Sequence, residues 1–165
     1  MDAIDRKILA VLQSDGRLTV TELAQRVGLS AAPCHRRLRE LERDGVIRGY
    51  RAVVDGAAVG CGFEVLLAVT IDREASVEGF EAGLAELAEV VHAERLFGEP
   101  DYYIRVATAD LEAFQKLRDE RLARLPGVQR LTSTIVMKKI VDNRPLPTFP
   151  VEHRGPRGRS GSSTR

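Results

Sequence analysis

GLSAAPCHRRLRELERDGVIRGY, residues 28–50, sets one cysteine, one histidine and five arginines against a helical pattern of leucines. Gly28 permits the left-handed turn that closes a preceding helix, Leu29 drops inward, and Ser30 caps the next helix. Pro33 falls in that helix's first turn, where its missing N–H costs no intrahelical bond. At about 100° per residue, Cys34, Leu38 and Leu41 share one face while Ala32, Arg36, Arg39 and Arg43 share the opposite one, with His35 at its edge. Cys34 is therefore expected as a small buried core residue rather than a reactive thiol. A Cys34–His35 metal pair fails on geometry, because adjacent helical residues diverge by about 100° and no further ligands stand near.

Working back toward the N-terminus, LTVTELAQRV (residues 18–27) carries a capping box, Thr19 with Glu22, and a hydrophobic staple, Leu18 with Leu23. Before it, Ile4, Ile8, Leu9 and Leu12 give one apolar helical face that Gly16 ends. The first segment thus reads as three short helices followed by an extended piece. Two short helices joined by a tight glycine-containing turn, the second with an exposed basic face, make a helix-turn-helix, the arrangement that enters a DNA major groove. A charge-rich helix side is often only solvated. Here Glu40 and Glu42 fall off the arginine row, and Ala31 and Ala32 let the backbone approach another surface closely. The expected contacts are Ser30, His35, Arg36 and Arg39 in the groove, with Arg43, Arg48 and Arg51 on phosphates.

Composition bounds the rest. The 165 residues allow one medium domain or two small ones. No run approaches the roughly 18 apolar residues of a membrane span, and MDAIDRK lacks the layout of a secretory signal, so a cytoplasmic location is expected. Cys34 and Cys61 lack the spacing of a zinc site or a disulfide framework. The net charge of +1 conceals an asymmetry: residues 1–55 carry 10 basic and 8 acidic side chains, residues 56–142 carry 10 and 15, and residues 143–165 carry 5 and 1. Nucleic-acid contact is expected at the ends and a different task in the middle.

The second half alternates strands and helices. FEVLLAVTID has strand length, and Ser76 then caps a helix with Val77, Phe80, Leu84 and Leu87 on one face. VVHAERLF and YYIRVAT are two strands separated by the turn GEPD. Asp110 caps a helix carrying Phe114, Leu117, Arg121 and Leu125, Pro126-Gly127 stops it, and VQRLTSTIVMKKIV is a last long strand. The order β-α-β-β-α-β is the ferredoxin-like split unit. The expected fold is α+β, with a helix-turn-helix domain over 1–55, a linker over 56–62, a ferredoxin-like domain over 63–142 and a disordered basic tail over 143–165.

DAIDRKILAVLQSDGR, VTELAQRVGLS, APCHRRLRELERDGVIRGY, FGEPDYYIRV and LPGVQRLTSTIVMKKI, in this order, resemble the Lrp/AsnC family of bacterial and archaeal regulators over residues 2 to about 142. The resemblance implies a winged-type helix-turn-helix, a linking strand, and an α/β domain that dimerises, assembles further to an octamer, and senses small amino acids. It also implies an effector pocket at the GEPD loop and the polar triplet Thr132, Ser133 and Thr134, which puts Leu96, Gly98, Glu99, Asp101, Tyr102, Thr132 and Thr134 in the candidate effector site. Gly98 allows close backbone approach, Asp101 offers a carboxylate to an ammonium group, and free turn N–H groups offer donors to a carboxylate. The bland alternative is a plain hairpin turn with Asp101 bonded to its own backbone. Phe97 and Pro100 depart from the family pattern, which has a small polar residue before the glycine and an aromatic or aliphatic one two places after it. Of Tyr102 and Tyr103, one is expected in the core and the other at the pocket or an interface.

No catalytic pair, phosphate loop, dinucleotide motif or serine-nucleophile motif is present, His92 reads as an ordinary strand residue, and neither enzyme activity nor a cofactor is expected. Glu78, Glu81, Glu86 and Glu89 read as a solvated helix face. The expected partners are double-stranded DNA, a small amino acid and further copies of the chain. The alternative is an architectural DNA-binding protein that responds to no effector.

Overall fold

The computed structural model describes residues 1–72 and 76–149. The chain divides into two compact units: residues 1–52, joined by the described residues from Val141 onward, and residues Val53–Ile140.

The first unit contains α1 (Ala3–Ser14), α2 (Val20–Val27) and α3 (Ala31–Arg43). Asp2 and Asp5 form a reciprocal capping box on α1, and Thr19 and Glu22 form the expected one on α2. Gly28 closes α2 in the left-handed conformation (φ 78°), with the Leu29 N–H reaching back to the Ala24 carbonyl at 2.9 Å. Ile8, Leu23, Ala24, Val27, Cys34 and Leu41 are buried together, and Leu18, Leu29 and Leu38 pack against them. Residues 46–55 follow without helix or strand, so the implied linking strand is unpaired among the described residues.

The second unit holds β1 (Phe63–Ile71), α4 (Val77–Ala85), β2 (Val90–Arg95), β3 (Tyr102–Thr108), α5 (Leu111–Glu120) and β4 (Val128–Ile135). The antiparallel sheet has the order β2-β3-β1-β4. This is the expected β-α-β-β-α-β unit, with both caps in place: Ser76 accepts from the Gly79 N–H and Asp110 from the Ala113 N–H. Alternation along the strands decides the faces. Val65, Leu67 and Val69 of β1 and Tyr102, Ile104 and Val106 of β3 are buried with Phe80 and Leu84 of α4 and Phe114 and Leu117 of α5. The opposite face carries Leu66 and Ala68 of β1, Tyr103 and Arg105 of β3, and Thr132 and Thr134 of β4.

Three boundaries differ from expectation. α5 gives way at Arg121 to a single 3-10 turn, Leu122–Arg124, so Leu125 lies beyond the helix. β4 ends at Ile135, after which the Val136 N–H continues the ladder to the Glu64 carbonyl. The segment expected as a free tail from residue 143 instead bonds to the first unit at Leu146, where Gln13 meets its backbone. Residues 150–165, the rest of that expected tail, lie outside the described residues.

Candidate functional site

Ser30, Ala31, Ala32, His35, Arg36, Arg39 and Arg43 stand on the outer side of α3 and at its start, while Cys34 and Leu41 on the other side are buried. Helical spacing alone separates the two sets, and burial pushes the Cys34 thiol up, keeping it protonated and unreactive. Ser30 occupies the cap position, but its hydroxyl makes no capping bond. A cap oxygen accepts from the second or third helical residue, and the third is Pro33, which has no N–H. Ala32, the second, keeps its N–H, but the Ser30 hydroxyl makes no bond to it either.

The arginines divide by partner. Arg39 donates to His35 Nε2 at 3.4 Å, which presents the two side chains as a pair on the exposed face. Arg43 bonds to Asp44 at 3.0 Å. Arg37, adjacent to Arg36 but turned away from the row, donates to Asp5 at 2.8 Å and to Asp2 at 2.7 Å, which ties α3 to the start of α1. The Asp5 and Asp2 carboxylates hold the Arg37 guanidinium above its ordinary value. This structural role is missed by reading α3 alone; its signal is the acid pair spaced for a cap at residues 2 and 5. Past α3, Tyr50 donates from its hydroxyl to Glu42 at 3.1 Å, and Arg48 and Arg51 flank it, both exposed. Burial, with Glu42 beside it, raises the Tyr50 phenol. The expected contacts thus lie on one outward helix face and the segment that follows it.

In the second unit, the 96–101 turn is closed by the Leu96 N–H donating to the Asp101 carbonyl at 2.7 Å. Gly98 has φ 136°, a conformation that favours glycine, and Phe97 is fully exposed beside it. The Asp101 carboxylate accepts from the Ile71 N–H at 2.9 Å, so it braces the turn against the end of β1 and not against its own backbone. A cleft of about 570 Å³ brings Gly98, Glu99 and Asp101 together with Thr70, Ile71 and Gln129.

The remaining candidates lie elsewhere. Thr132 and Thr134 are exposed further along β4, opposite Ala68 and Leu66, and Leu96 is half-buried outside the cleft. Tyr102 needs correcting, because its side chain faces the helices. Its ring lies 4.7 Å from that of Phe80, and its hydroxyl donates to Glu81 at 2.8 Å. Burial, with Glu81 beside it, pushes its phenol up to about 12. The parity it shares with Ile104 and Val106 carries that information, and Tyr103 is the one of the pair that faces outward. Glu81, expected to be merely solvated, is occupied by Tyr102, with Arg95 3.8 Å away.

Among family models, one described as winged helix-turn-helix DNA-binding matches residues 1–48, and the Lrp/AsnC ligand binding domain matches residues 64–146. The chain is 38% identical over 148 residues to the leucine-responsive regulatory protein of Salmonella typhimurium, covering 88% of this chain and 90% of that one. Among solved structures, it resembles a Neisseria meningitidis transcriptional regulator in complex with L-Met, with TM-score 0.85, 39% identity, and 89% and 96% of the two chains covered. An AsnC family transcriptional regulator from Agrobacterium tumefaciens is similar at TM-score 0.82 and 35% identity, with 89% and 97% covered.

Proposed function

The chain belongs to the Lrp/AsnC family, and from that premise we propose how a DNA-binding transcriptional regulator modulated by a small amino acid divides its work. The head, residues 1–55, reads DNA through Ser30, His35, Arg36 and Arg39 and holds phosphates with Arg43, Arg48 and Arg51. The single observation that carries this is the outward basic face of α3, opposite a face buried through Cys34 and Leu41. Arginine offers two parallel donors to guanine, while phosphate contacts set register without reading sequence.

Residues 63–142 take the effector and hold copies of the chain together. An amino acid is a zwitterion, and the turn offers both complements, the Asp101 carboxylate for the ammonium group and turn N–H groups for the carboxylate. The Neisseria relative binds L-Met, which supports an amino acid as the effector here. Thr132 and Thr134, exposed on the uncovered sheet face, complete the site from a neighbouring copy in the assembled protein. The assembly is a homodimer that builds to an octamer in the cytoplasm. Effector binding between subunits favours one arrangement and thereby changes the spacing of the paired reading helices.

Thermal unfolding with each common amino acid at millimolar concentration tests the effector half. A ligand at 100 times its dissociation constant adds about 2.7 kcal/mol when it binds only the folded state. A raised midpoint with one or a few amino acids supports the reading. No shift with any of them favours an architectural protein without an effector.

A further inference from the structure

β2 is an edge strand of the sheet, and its pairing decides which of its side chains turn toward the helices. Val90, Ala93 and Arg95 stand opposite Val106, Ile104 and Tyr102 of β3, which are buried under the helices. Strand alternation therefore puts these three β2 residues on the helix side. From α4, Glu81, Leu84 and Ala85 lie on one helical side, at spacings of three and four. Alanine at 85 and at 93 contributes only a methyl group, and a cleft of about 230 Å³ remains between helix and strand, with Tyr102 in its wall. That volume is below the roughly 300–1,000 Å³ of pockets for drug-sized ligands and suits a small metabolite.

The cleft joins an aliphatic lining to two opposite charges. Tyr102 donates to Glu81 Oε1 at 2.8 Å, which fixes the carboxylate and leaves Oε2 as an acceptor. Arg95 stands 3.8 Å from the same Oε1. That separation exceeds hydrogen-bond length, so the guanidinium keeps its paired donors for a second acceptor. We propose that this cleft is a second amino-acid site, taking an α-amino acid with an aliphatic side chain. Arg95 pairs with its carboxylate, Glu81 with its ammonium group, and the side chain lies among Leu84, Ala85, Val90 and Ala93. An aliphatic acid or an alkylamine would leave one of the two charges unmatched. The site shares no residue with the cleft at Gly98, Glu99 and Asp101, and it stands whether or not that cleft takes the effector.

The test is calorimetric titration of L-leucine into the full chain carrying Asp101→Asn, which disables the turn cleft. One binding event should remain. In that background Arg95→Gln and Glu81→Gln, each removing one charge, should weaken it roughly 10- to 100-fold, and Ala93→Leu, which fills the cleft, should abolish it. 4-Methylpentanoate, which lacks the ammonium group, and 3-methylbutylamine, which lacks the carboxylate, should both bind at least about tenfold more weakly than L-leucine. The Arg95 side chain is 61% exposed, so Arg95→Gln carries the test even if Ala93→Leu fails to fold. No binding event in Asp101→Asn, or one that keeps its full affinity in Arg95→Gln and Glu81→Gln, overturns the site. Binding that is the same in the wild type and Asp101→Asn but weakened by Arg95→Gln supports this site while removing Asp101 from the reading above.

Discussion

The Arg37 guanidinium donates to the Asp5 carboxylate at 2.8 Å, fastening α3 to the first turn of α1. Asp2 completes the clasp, and the Asp5 N–H followed by Arg37 holds the Asp2 carboxylate below the usual range. Arg37→Ala is expected to lower the thermal midpoint of the head modestly, since water screens much of the clasp. Discrimination between DNA sites should persist; an altered site preference with an unchanged midpoint would contradict this division.

Arg36, the next residue back, is exposed about 100° round the helix from Arg37. Arg36→Ala should lower discrimination between preferred and scrambled DNA by about 1–3 kcal/mol. Arg48→Ala should instead weaken binding to both duplexes equally. Paired fluorescence anisotropy titrations separate the two effects, and unchanged affinities in Arg36→Ala would mean that α3 is not the reading helix.

Glu22 accepts from both the Thr19 N–H (2.8 Å) and the Thr19 hydroxyl (2.7 Å), which hold its carboxylate below its ordinary value. A depressed folded-state value means that the unfolded chain binds the proton more readily. The contribution is therefore fully present above the ordinary glutamate range and lost as pH falls through the depressed value. Acid unfolding followed by circular dichroism should show a smaller loss in Glu22→Gln than in the wild type over that window. Thr19→Ala should cost about 1 kcal/mol at neutral pH.

Tyr102 gives the opposite sign. With its phenol raised to about 12, against roughly 10 for an unfolded tyrosine, its stabilising share is present below about pH 10 and lost as pH rises toward the raised value. Tyr102→Phe should remove the highest step of the tyrosinate absorbance titration. Retention of that step would place the side chain outside the core.

Asp101 has two roles that substitutions can separate. Asp101→Asn keeps an oxygen to accept from the Ile71 N–H but loses the charge, so the midpoint should hold while any amino-acid-induced shift disappears. Asp101→Ala should lose both, at a cost of about 1.5 kcal/mol for the bond. An intact ligand response in Asp101→Asn would remove the carboxylate from the effector site.

The features legible in the sequence are those set within a few residues: the Thr19–Glu22 box, the Gly28 turn, the two faces of α3, the caps at Ser76 and Asp110, and the strand order they imply. Sequence reading fails where a distant partner decides. Arg37 is claimed by acids 35 and 32 residues away, and Leu146 by a glutamine 133 residues away. Proximity along the chain puts Tyr102 with the loop, whereas strand parity sends it to the other face of the sheet. Residue type makes Ser30 a cap, yet its hydroxyl makes no capping bond, and Pro33 at the third helical position offers it no N–H. The effector site is legible as a turn; the bond from Ile71 that braces it joins the turn to the end of β1 across 30 residues and has no local sequence signature.

An outward face of α3 that reads DNA under the control of an amino acid is what the function rests on. Selection of bound duplexes from a random-sequence pool by the full-length protein, with and without a mixture of amino acids, tests it most directly. The expected result is enrichment of a two-fold-symmetric motif, lost in Arg36→Ala, with the bound fraction or the spacing of its half-sites changed by the amino acids. A pool that stays random under both conditions, bound only through its phosphates, would contradict it.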